Sequence, residues 1–121
     1  MGQIKNILQR AKDNSYFRQV LETGKNTQVV IMSIPPGGEI GEEVHAANDQ
    51  VLYLAEGAGQ VVLEGQPADY NTGDLVLVPA GTKHNFITKG GGAMKIITTY
   101  SPPHHPDGTI HKTKAEADSA S

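Results

Sequence analysis

Four side chains of this 121-residue chain have the chemistry and the spacing of metal ligands: Glu43, His45, Gln50 and His84. Glu43 and His45 stand two residues apart in strand-like surroundings, where alternate side chains point to the same face. Two imidazoles and one carboxylate are the set that binds Fe(II) and similar metals while leaving coordination positions open. The side-chain oxygen of Gln50 would add a fourth, weaker ligand, so the sequence predicts one divalent metal site.

Each of these residues also has an interpretation without a metal. Glu43 could be a solvated residue at a strand end, as its neighbour Glu42 is expected to be. Gln50 could hydrogen-bond the backbone of the polar link that precedes it, and a pair of histidines is more often structural than ligating. A further role is open to Glu43: if it is not a ligand, it is the obvious general base, and the two roles exclude each other in one state.

Apolar residues on the same strand faces are expected to wall the site. Leu54 shares its face with Gln50, and Phe86 shares its face with His84, because each pair is separated by an even number of positions. Tyr53 falls on the face opposite Gln50 and is expected to pack in an interface.

The C-terminal tail, residues 101–121, contains three of the five histidines of the chain. The rigid Pro102-Pro103 pair would direct His104 and His105 back across the mouth of the site as a lid. The alternative is a surface tail with no role in the site.

The elements that must position these residues are short strands. The chain has 14 Gly and 7 Pro, and its apolar stretches are brief, rich in Val and Ile, and separated by turn residues. We predict a helix or turn at 3–14 and a small antiparallel barrel of about nine or ten strands. The segments that carry the strand pattern are 17–22, 28–34, 42–46, 50–56, 60–64, 66–70, 75–78, 84–88 and 94–100.

Several features of this arrangement are specific enough to test. The strand at 17–22 is expected at a sheet edge, and the strands at 50–56 and 60–64 are expected to pair as a hairpin. The strand at 28–34 is apolar on both faces, so the N-terminal segment or a second subunit must cover its outer side. The tail is expected to begin without regular pairing because of its prolines and to fray at its polar end.

The bulk composition sets limits on the class of protein. A chain of 121 residues suits one domain, with a core at about 17–100 and the tail at 101–121. Its net charge of −3 argues against a nucleic-acid or anionic membrane surface. No apolar run approaches the roughly 20 residues that span a membrane, no signal peptide is evident, and the absence of cysteine rules out a disulfide framework. A cytoplasmic, soluble protein is the default expectation.

The spacing of two motifs resembles that of the cupin family. The first motif has five, one, four and six residues between its members, which are Gly37, Glu43, His45, Gln50 and Gly57. The second has five, one, two and three residues between its members, which are Gly73, Pro79, Gly81, His84 and Thr88. The usual family form is Gly-x5-His-x-His-x(3,4)-Glu-x6-Gly, followed by Gly-x5-Pro-x-Gly-x2-His-x3-Asn. The resemblance covers roughly residues 29–100.

Three positions depart from the family pattern, and only His45 and His84 match the usual ligands outright. Glu43 replaces the first His, Gln50 replaces the Glu, and Thr88 replaces the closing Asn. Glu43 adds the negative charge that Gln50 removes, so the site keeps one carboxylate. The resemblance implies a jelly-roll barrel, commonly a homodimer, with a divalent metal such as Fe, Mn, Zn or Ni in its mouth. The tail is also similar to that of small single-domain bacterial cupins often labelled sugar-isomerase-like, a label that rests on fold-level analogy.

These observations predict a metal-dependent enzyme that acts on a small oxygenated metabolite by isomerisation, enolisation or O₂-dependent cleavage. One alternative is a non-catalytic module that binds a metal or a small molecule, and another is a structural barrel with an empty, degenerate site. Open metal positions beside a titratable group would favour the enzyme. Glu43 and Gln50 turned away from the two histidines would favour the degenerate barrel.

Overall fold

Nine strands and two short helices form the fold in the computed structural model, which describes residues 2–120. In chain order the elements are α1 (Ile7–Asp13), β1 (Arg18–Thr23), β2 (Gln28–Ile34), β3 (Asp49–Glu56), β4 (Ala58–Leu63), β5 (Gln66–Asn71), β6 (Leu75–Val78), β7 (His84–Thr88), β8 (Met94–Ser101), β9 (Ile110–His111) and α2 (Lys114–Ser119). Neither helix in the described part of the chain is long or apolar enough to cross a membrane. The N-terminal helix and eight of the nine predicted strands are found close to their expected positions.

The strands form two antiparallel sheets that pack around one core. The larger sheet has the order β6-β3-β8-β2-β1-β9, and the smaller has the order β5-β4-β7. Leu52 and Ile96 from the larger sheet pack in the same buried cluster as Tyr70 and Phe86 from the smaller one. This is the all-β jelly-roll architecture that the sequence predicts, built from two separate sheets rather than one closed barrel.

The predicted hairpin between the strands at 50–56 and 60–64 is wrong. β3 pairs with β6 and β8, whereas β4 pairs with β5 and β7. Gly57 has a φ of 107° and takes the chain from one sheet to the other, and a Cβ there would meet the carbonyl oxygen of Ala93 at 2.6 Å. The hairpin partner of β4 is β5, which follows a two-residue turn at Glu64 and Gly65. The φ values of these residues, 49° and 78°, suit a tight hairpin.

The segment at 42–46 is not a strand, contrary to expectation. Glu43 forms one isolated bridge with His84, in which each backbone N–H donates to the carbonyl of the other at 2.9 Å. Upstream, Ile40 N–H donates to the carbonyl of Phe86, so the chain follows β7 at two points. Gly41, with a φ of 109°, interrupts the extended backbone between these points. The bridge nonetheless fixes Glu43 directly opposite His84.

The C-terminal tail belongs to the fold through residue 120, so the expected frayed end is wrong for the described residues. β9 pairs with β1, so β1 is not an edge strand. The hydroxyl of Thr113 caps α2 by accepting a hydrogen bond from the backbone N–H of Glu116, and Ala117 is buried in the main core. A six-residue helix shows too little periodicity to be detected in the sequence, and Ser121 lies outside the described residues.

Helix α1 covers the outer face of the large sheet. Its Ala11 packs with Ile31 of β2 and Ala55 of β3 in a second buried cluster, against which Tyr53 is partly buried. The strand that is apolar on both faces is therefore covered by the N-terminal segment, one of the two solutions expected for it.

Candidate metal centre

Glu43, His45 and His84 converge at one end of the fold. Each offers a ligand atom, and these atoms all lie within 4.8 Å of one another. The Nε2 atom of His45 is 3.5 Å from Oε2 of Glu43, and the two imidazole rings are 5.2 Å apart between centroids. Since nitrogen and oxygen ligands lie about 2.0–2.2 Å from a metal such as zinc, a transition-metal ion fits among atoms at this separation.

A backbone contact fixes the tautomer of His84. Its Nδ1 atom is 2.9 Å from the carbonyl oxygen of Thr82, and because a carbonyl only accepts, Nδ1 carries the proton. Nε2 of His84 therefore keeps its lone pair, which is the arrangement that ligating histidines adopt. The same turn holds His45 in place, since Gly81 N–H donates to the carbonyl of His45 at 2.9 Å.

His45 presents a buried nitrogen that the protein does not use. Its Nε2 atom has no hydrogen-bond partner among the described residues. Burial, together with the neighbouring His104 and His84, lowers the pKa of His45 to about 4, so the ring is neutral and able to ligate a metal at pH 7. A buried ring nitrogen without a hydrogen-bond partner in the protein is available to a metal.

Gln50 has an equally unused oxygen. The residue is 3% exposed, and its Nε2 donates to the hydroxyl of Thr98 at 3.1 Å. Its Oε1 atom has no hydrogen-bond partner in residues 2–120, whereas the interpretation without a metal expects a bond to the preceding backbone. Gln50 lies opposite Tyr100 in the β3–β8 register, and the Tyr100 ring contacts that of His45 edge-on at 5.7 Å. The amide therefore lies beside the histidine cluster.

Glu43 faces the cluster rather than solvent. Its side chain is 33% exposed, half the 67% of Glu42 beside it. Burial raises the pKa of Glu43, and the positive charges of Arg18 and Lys114 and the proximity of His84 oppose that shift. A titratable carboxylate and two histidines thus share one location, which suits either a ligand or a proton acceptor.

The two residues expected to form a pocket wall lie deeper than the cluster. Leu54 and Phe86 are both fully buried in the main core. The Phe86 ring lies 6.3 Å from that of His84 and so forms an apolar floor beneath it.

An open cavity of about 520 Å³ adjoins the cluster. Glu43 lines it from the cluster, Ile40 from the segment along β7, and Ala117 from α2. Its volume lies within the range of small-molecule sites, about 300–1,000 Å³.

The tail histidines lie at the mouth of the site. The His104 ring contacts the His45 ring at 4.4 Å between centroids, and His104 Nδ1 is 3.2 Å from Oδ1 of Asn48. Oε1 of Gln28 accepts from the backbone N–H groups of His104 and His105 at 3.2 and 3.0 Å. Gln28 Nε2 donates to the carbonyl of His105 at 2.7 Å, so one fully buried side chain holds this part of the tail.

Arg18 and Gln28 are functional candidates that the sequence motifs do not include. Arg18 is buried in β1, and its Nη1 donates to Nδ1 of His111 at 3.1 Å. Both residues occupy inward positions of their strands. Arg18 lies on the same face of β1 as Val20, and Gln28 lies on the same face of β2 as Val30. A polar residue at an inward strand position is the one sequence signal that could have identified them.

Comparison with known proteins adds the family. A family model described as "Cupin domain" matches residues 30–100. The uncharacterized protein YrkC of Bacillus subtilis (strain 168) is 43% identical over 119 residues, which cover 93% of this chain and 63% of YrkC, so the chain spans less than two thirds of that relative. The crystal structure of BH2720 from Bacillus halodurans has 38% identity and a TM-score of 0.95, with 98% of this chain and 95% of that one covered.

A shorter match links part of the chain to an enzyme. The acireductone dioxygenase of Rhodopseudomonas palustris (strain TIE-1) is 43% identical over 55 residues, which cover 42% of this chain and 33% of that protein. The family model spans more than half of the chain and both ligand motifs, and the fold and the histidine pair agree with it. The chain belongs to the cupin family.

Proposed function

We propose that this cupin binds one divalent metal ion through His45, His84, Gln50 and Glu43 and acts as an enzyme on a small oxygenated metabolite. The observation that carries the proposal is the convergence of Glu43, His45 and His84 within 4.8 Å. The unused acceptors of His45 and Gln50 support it, because both are buried and neither finds a partner among the described residues. Iron, manganese, zinc and nickel all accept this mixture of nitrogen and oxygen ligands.

A divalent ion held there would act as a Lewis acid toward a carbonyl, carboxylate or enolate oxygen. The residues of the chain have separate tasks. The Thr82 carbonyl holds the His84 ring in the tautomer that ligates, and Phe86 excludes water from below. Glu43, at the wall of the cavity, either completes the ligand set or accepts a proton from the substrate carbon.

Two reaction types fit these residues. Two histidines and one carboxylate form the set used by non-haem Fe(II) oxygenases, and the similarity of a 55-residue segment to an acireductone dioxygenase supports O₂-dependent cleavage. Isomerisation or enolisation uses the same cavity with Glu43 as the base, and it requires that Glu43 not be a ligand.

A non-catalytic binding module is the second candidate. The packing of the His104 ring on that of His45 favours it, since a tail fastened over the mouth would retain a bound metal or metabolite. The enzyme and the module share the metal site and differ only in whether substrate is converted.

The test is elemental analysis of protein purified without a histidine tag, before and after chelator dialysis and reconstitution. We expect about one equivalent of a transition metal in the wild type, and loss of it in His45→Ala and His84→Ala with unchanged circular dichroism. His111→Ala is the matched control because His111 is outside the cluster and should retain the metal. Absence of metal uptake by the reconstituted wild type would contradict the proposal.

We also propose that the protein is a homodimer formed through the outer face of β3 and β6. Leu75 and Leu77 are 61% and 56% exposed, and they stand opposite Tyr53 and Val51 in the β3–β6 register. Four apolar side chains on one sheet face are typical of a surface that a second copy covers. Light scattering should give the dimer mass for the wild type and the monomer mass for Leu77→Lys, whereas an unchanged mass would exclude this interface.

A further inference from the structure

Arg18 is a buried cation that acts on Glu43 across the same cavity but forms no direct ion pair with it. It is 7% exposed. Nη1 donates to the neutral ring of His111 at 3.1 Å, while Nε has no hydrogen-bond partner within residues 2–120. No carboxylate of the described residues forms an ion pair with it. Buried guanidinium groups are almost always paired with an anion, because removing the charge from water is costly.

The contacts that Arg18 does make orient the group without neutralising its charge. The guanidinium carbon lies 5.3 Å from the centroid of the Phe17 ring, and the bond to His111 joins β1 to β9. A neutral side chain could bridge the two strands without the cost of burying a charge. The arrangement therefore resembles a preorganised anion site more than a structural bridge.

The cavity beside the metal cluster is where an anion would meet Arg18. Arg18 and Glu43 both line this cavity of about 520 Å³. The other charged groups on the cavity wall are compensated: Lys114 pairs with Asp118 at 2.9 Å, and Glu42 lies 4.0 Å from Lys83. Arg18 is thus the cation in the described lining that lacks a carboxylate partner.

We infer that Arg18 binds the carboxylate of the substrate, and that the protein acts on small monocarboxylic acids that carry a second oxygen function. The inference rests on the proposed function for identifying the cavity as the substrate site. One end of the ligand would meet Arg18, and its second oxygen would face the Glu43–His45–His84 cluster. Phe17, Ile40 and Ala117 provide an apolar wall for the carbon chain between them.

A carboxylate fits this site better than a phosphate. The planar guanidinium fork matches a planar carboxylate in geometry, and one positive charge that forms no direct ion pair matches one negative charge. A phosphate ester carries nearly two negative charges, and Glu43 on the same wall would repel the second. Sites for such dianions recruit several cations, whereas Lys114 here is already paired.

The test is calorimetric titration of the metal-loaded protein with four acids and their matched neutral amides. The acids are pyruvate, L-lactate, D-glycerate and D-gluconate, and inorganic phosphate is a separate arm. We expect at least one acid to bind at millimolar concentration or better and its amide to bind at least tenfold more weakly. Binding should weaken about 10- to 100-fold in Arg18→Gln, with partial recovery in Arg18→Lys.

Arg10→Gln is the matched control, because Arg10 is exposed on α1, and it should bind as the wild type does. Equal affinity of wild type and Arg18→Gln, equal binding of acid and amide, tighter binding of phosphate, or no binding of any of the four acids would overturn the inference. The titration is repeated on metal-free protein. If the metal-free protein still prefers acid over amide and this preference depends on Arg18, the anion site is supported even if the metal proposal fails. If the wild type retains metal but binds no acid, the anion site fails while the metal proposal stands.

Stability distinguishes the anion site from a structural arginine. Without ligand, Arg18→Met should be at least as resistant to urea as the wild type, because the variant removes a buried charge that forms no direct ion pair. The acid that binds should raise the melting temperature of the wild type and not that of Arg18→Met. A large loss of urea resistance in all three variants of Arg18 would show instead that it holds β1 and β9 together, and would overturn the inference.

Discussion

Two buried glutamines lie on either side of Tyr100 at the same end of the large sheet, and the protein uses them differently. Gln28 is 0% exposed, and its amide makes four hydrogen bonds, two as acceptor and two as donor, to the tail and to Thr23. Gln50 is 3% exposed, and its oxygen makes no hydrogen bond to any described residue. The same type of side chain thus fastens the tail on one side of Tyr100 and has an unpaired oxygen on the other side.

The difference separates a buried polar group that serves the fold from one that is available to the proposed metal. Four buried side-chain atoms lack a hydrogen-bond partner among the described residues, and all belong to residues around the mouth: Arg18, His45, Gln50 and His105. Since an unpaired buried polar atom costs free energy, their concentration in one place supports the proposal that an ion and a substrate bind there.

The largest effect should come from removing the tail. A chain ending at residue 101 loses β9 and α2, exposes the core beneath Ala117 and leaves the Gln28 amide unsatisfied. We expect the free energy of unfolding to fall by on the order of 4 kcal/mol, measured by urea denaturation. A truncated chain that is as stable as the full one would show that the tail is a dispensable lid.

The next effect tests the role of the Gln28 side chain directly. Gln28→Met keeps the side-chain volume but leaves the backbone N–H groups of His104 and His105 without an acceptor. The free energy of unfolding should fall by about 3 kcal/mol. Metal content should not change, because Gln28 is not a proposed ligand. Gln66→Met, at an exposed position of β5, is the control and should behave as the wild type. Metal loss from Gln28→Met with full stability would reverse the roles assigned to the two glutamines.

Metal removal tests the proposed metal site beside Gln50. Binding that favours only the folded state stabilises by RT ln(1 + [L]/Kd), about 2 kcal/mol at thirtyfold the dissociation constant. A chelator should therefore lower the melting temperature of the wild type by several degrees and leave that of His84→Ala unaltered. Equal shifts in both proteins would place the metal elsewhere.

The smallest effect sharpens the role of Gln50. Gln50→Glu adds a negative charge at the proposed site and should tighten metal binding about tenfold, or about 1.4 kcal/mol, measured by competition with a chromogenic chelator. The metal-free variant should be slightly less stable than the wild type, because the new carboxylate is buried. Unchanged metal affinity would mean that Gln50 does not coordinate.

Much of this architecture was predictable from sequence because its signals are local. Strands such as Gln28–Ile34 can be predicted from their composition and from the turn residues that bound them. The spacing of the candidate ligands lies within two short motifs. The structure brings Glu43, His45 and His84 together as the motifs imply.

The remainder depends on contacts between distant parts of the chain. Arg18 meets His111 across 93 positions, and Gln28 meets His105 across 77, so no spacing rule links either pair. The segment around Gly57 has the composition of a hairpin turn. The close contact of Gly57 with Ala93, which is distant in sequence, belongs to a corner that leads into the second sheet. Helix α2 is too short to reveal its buried face in sequence.

The backbone bridge between Glu43 and His84 has a consequence for how this site can change over generations. Main-chain hydrogen bonds, not side chains, hold the two positions in register, and the turn at Gly81 does the same for His45. Ligand identity is therefore separable from ligand position, and a single codon change at residue 43 can alter the donor set without a new fold. The proposed metal site would then change its donor set through substitutions that leave these main-chain hydrogen bonds in place.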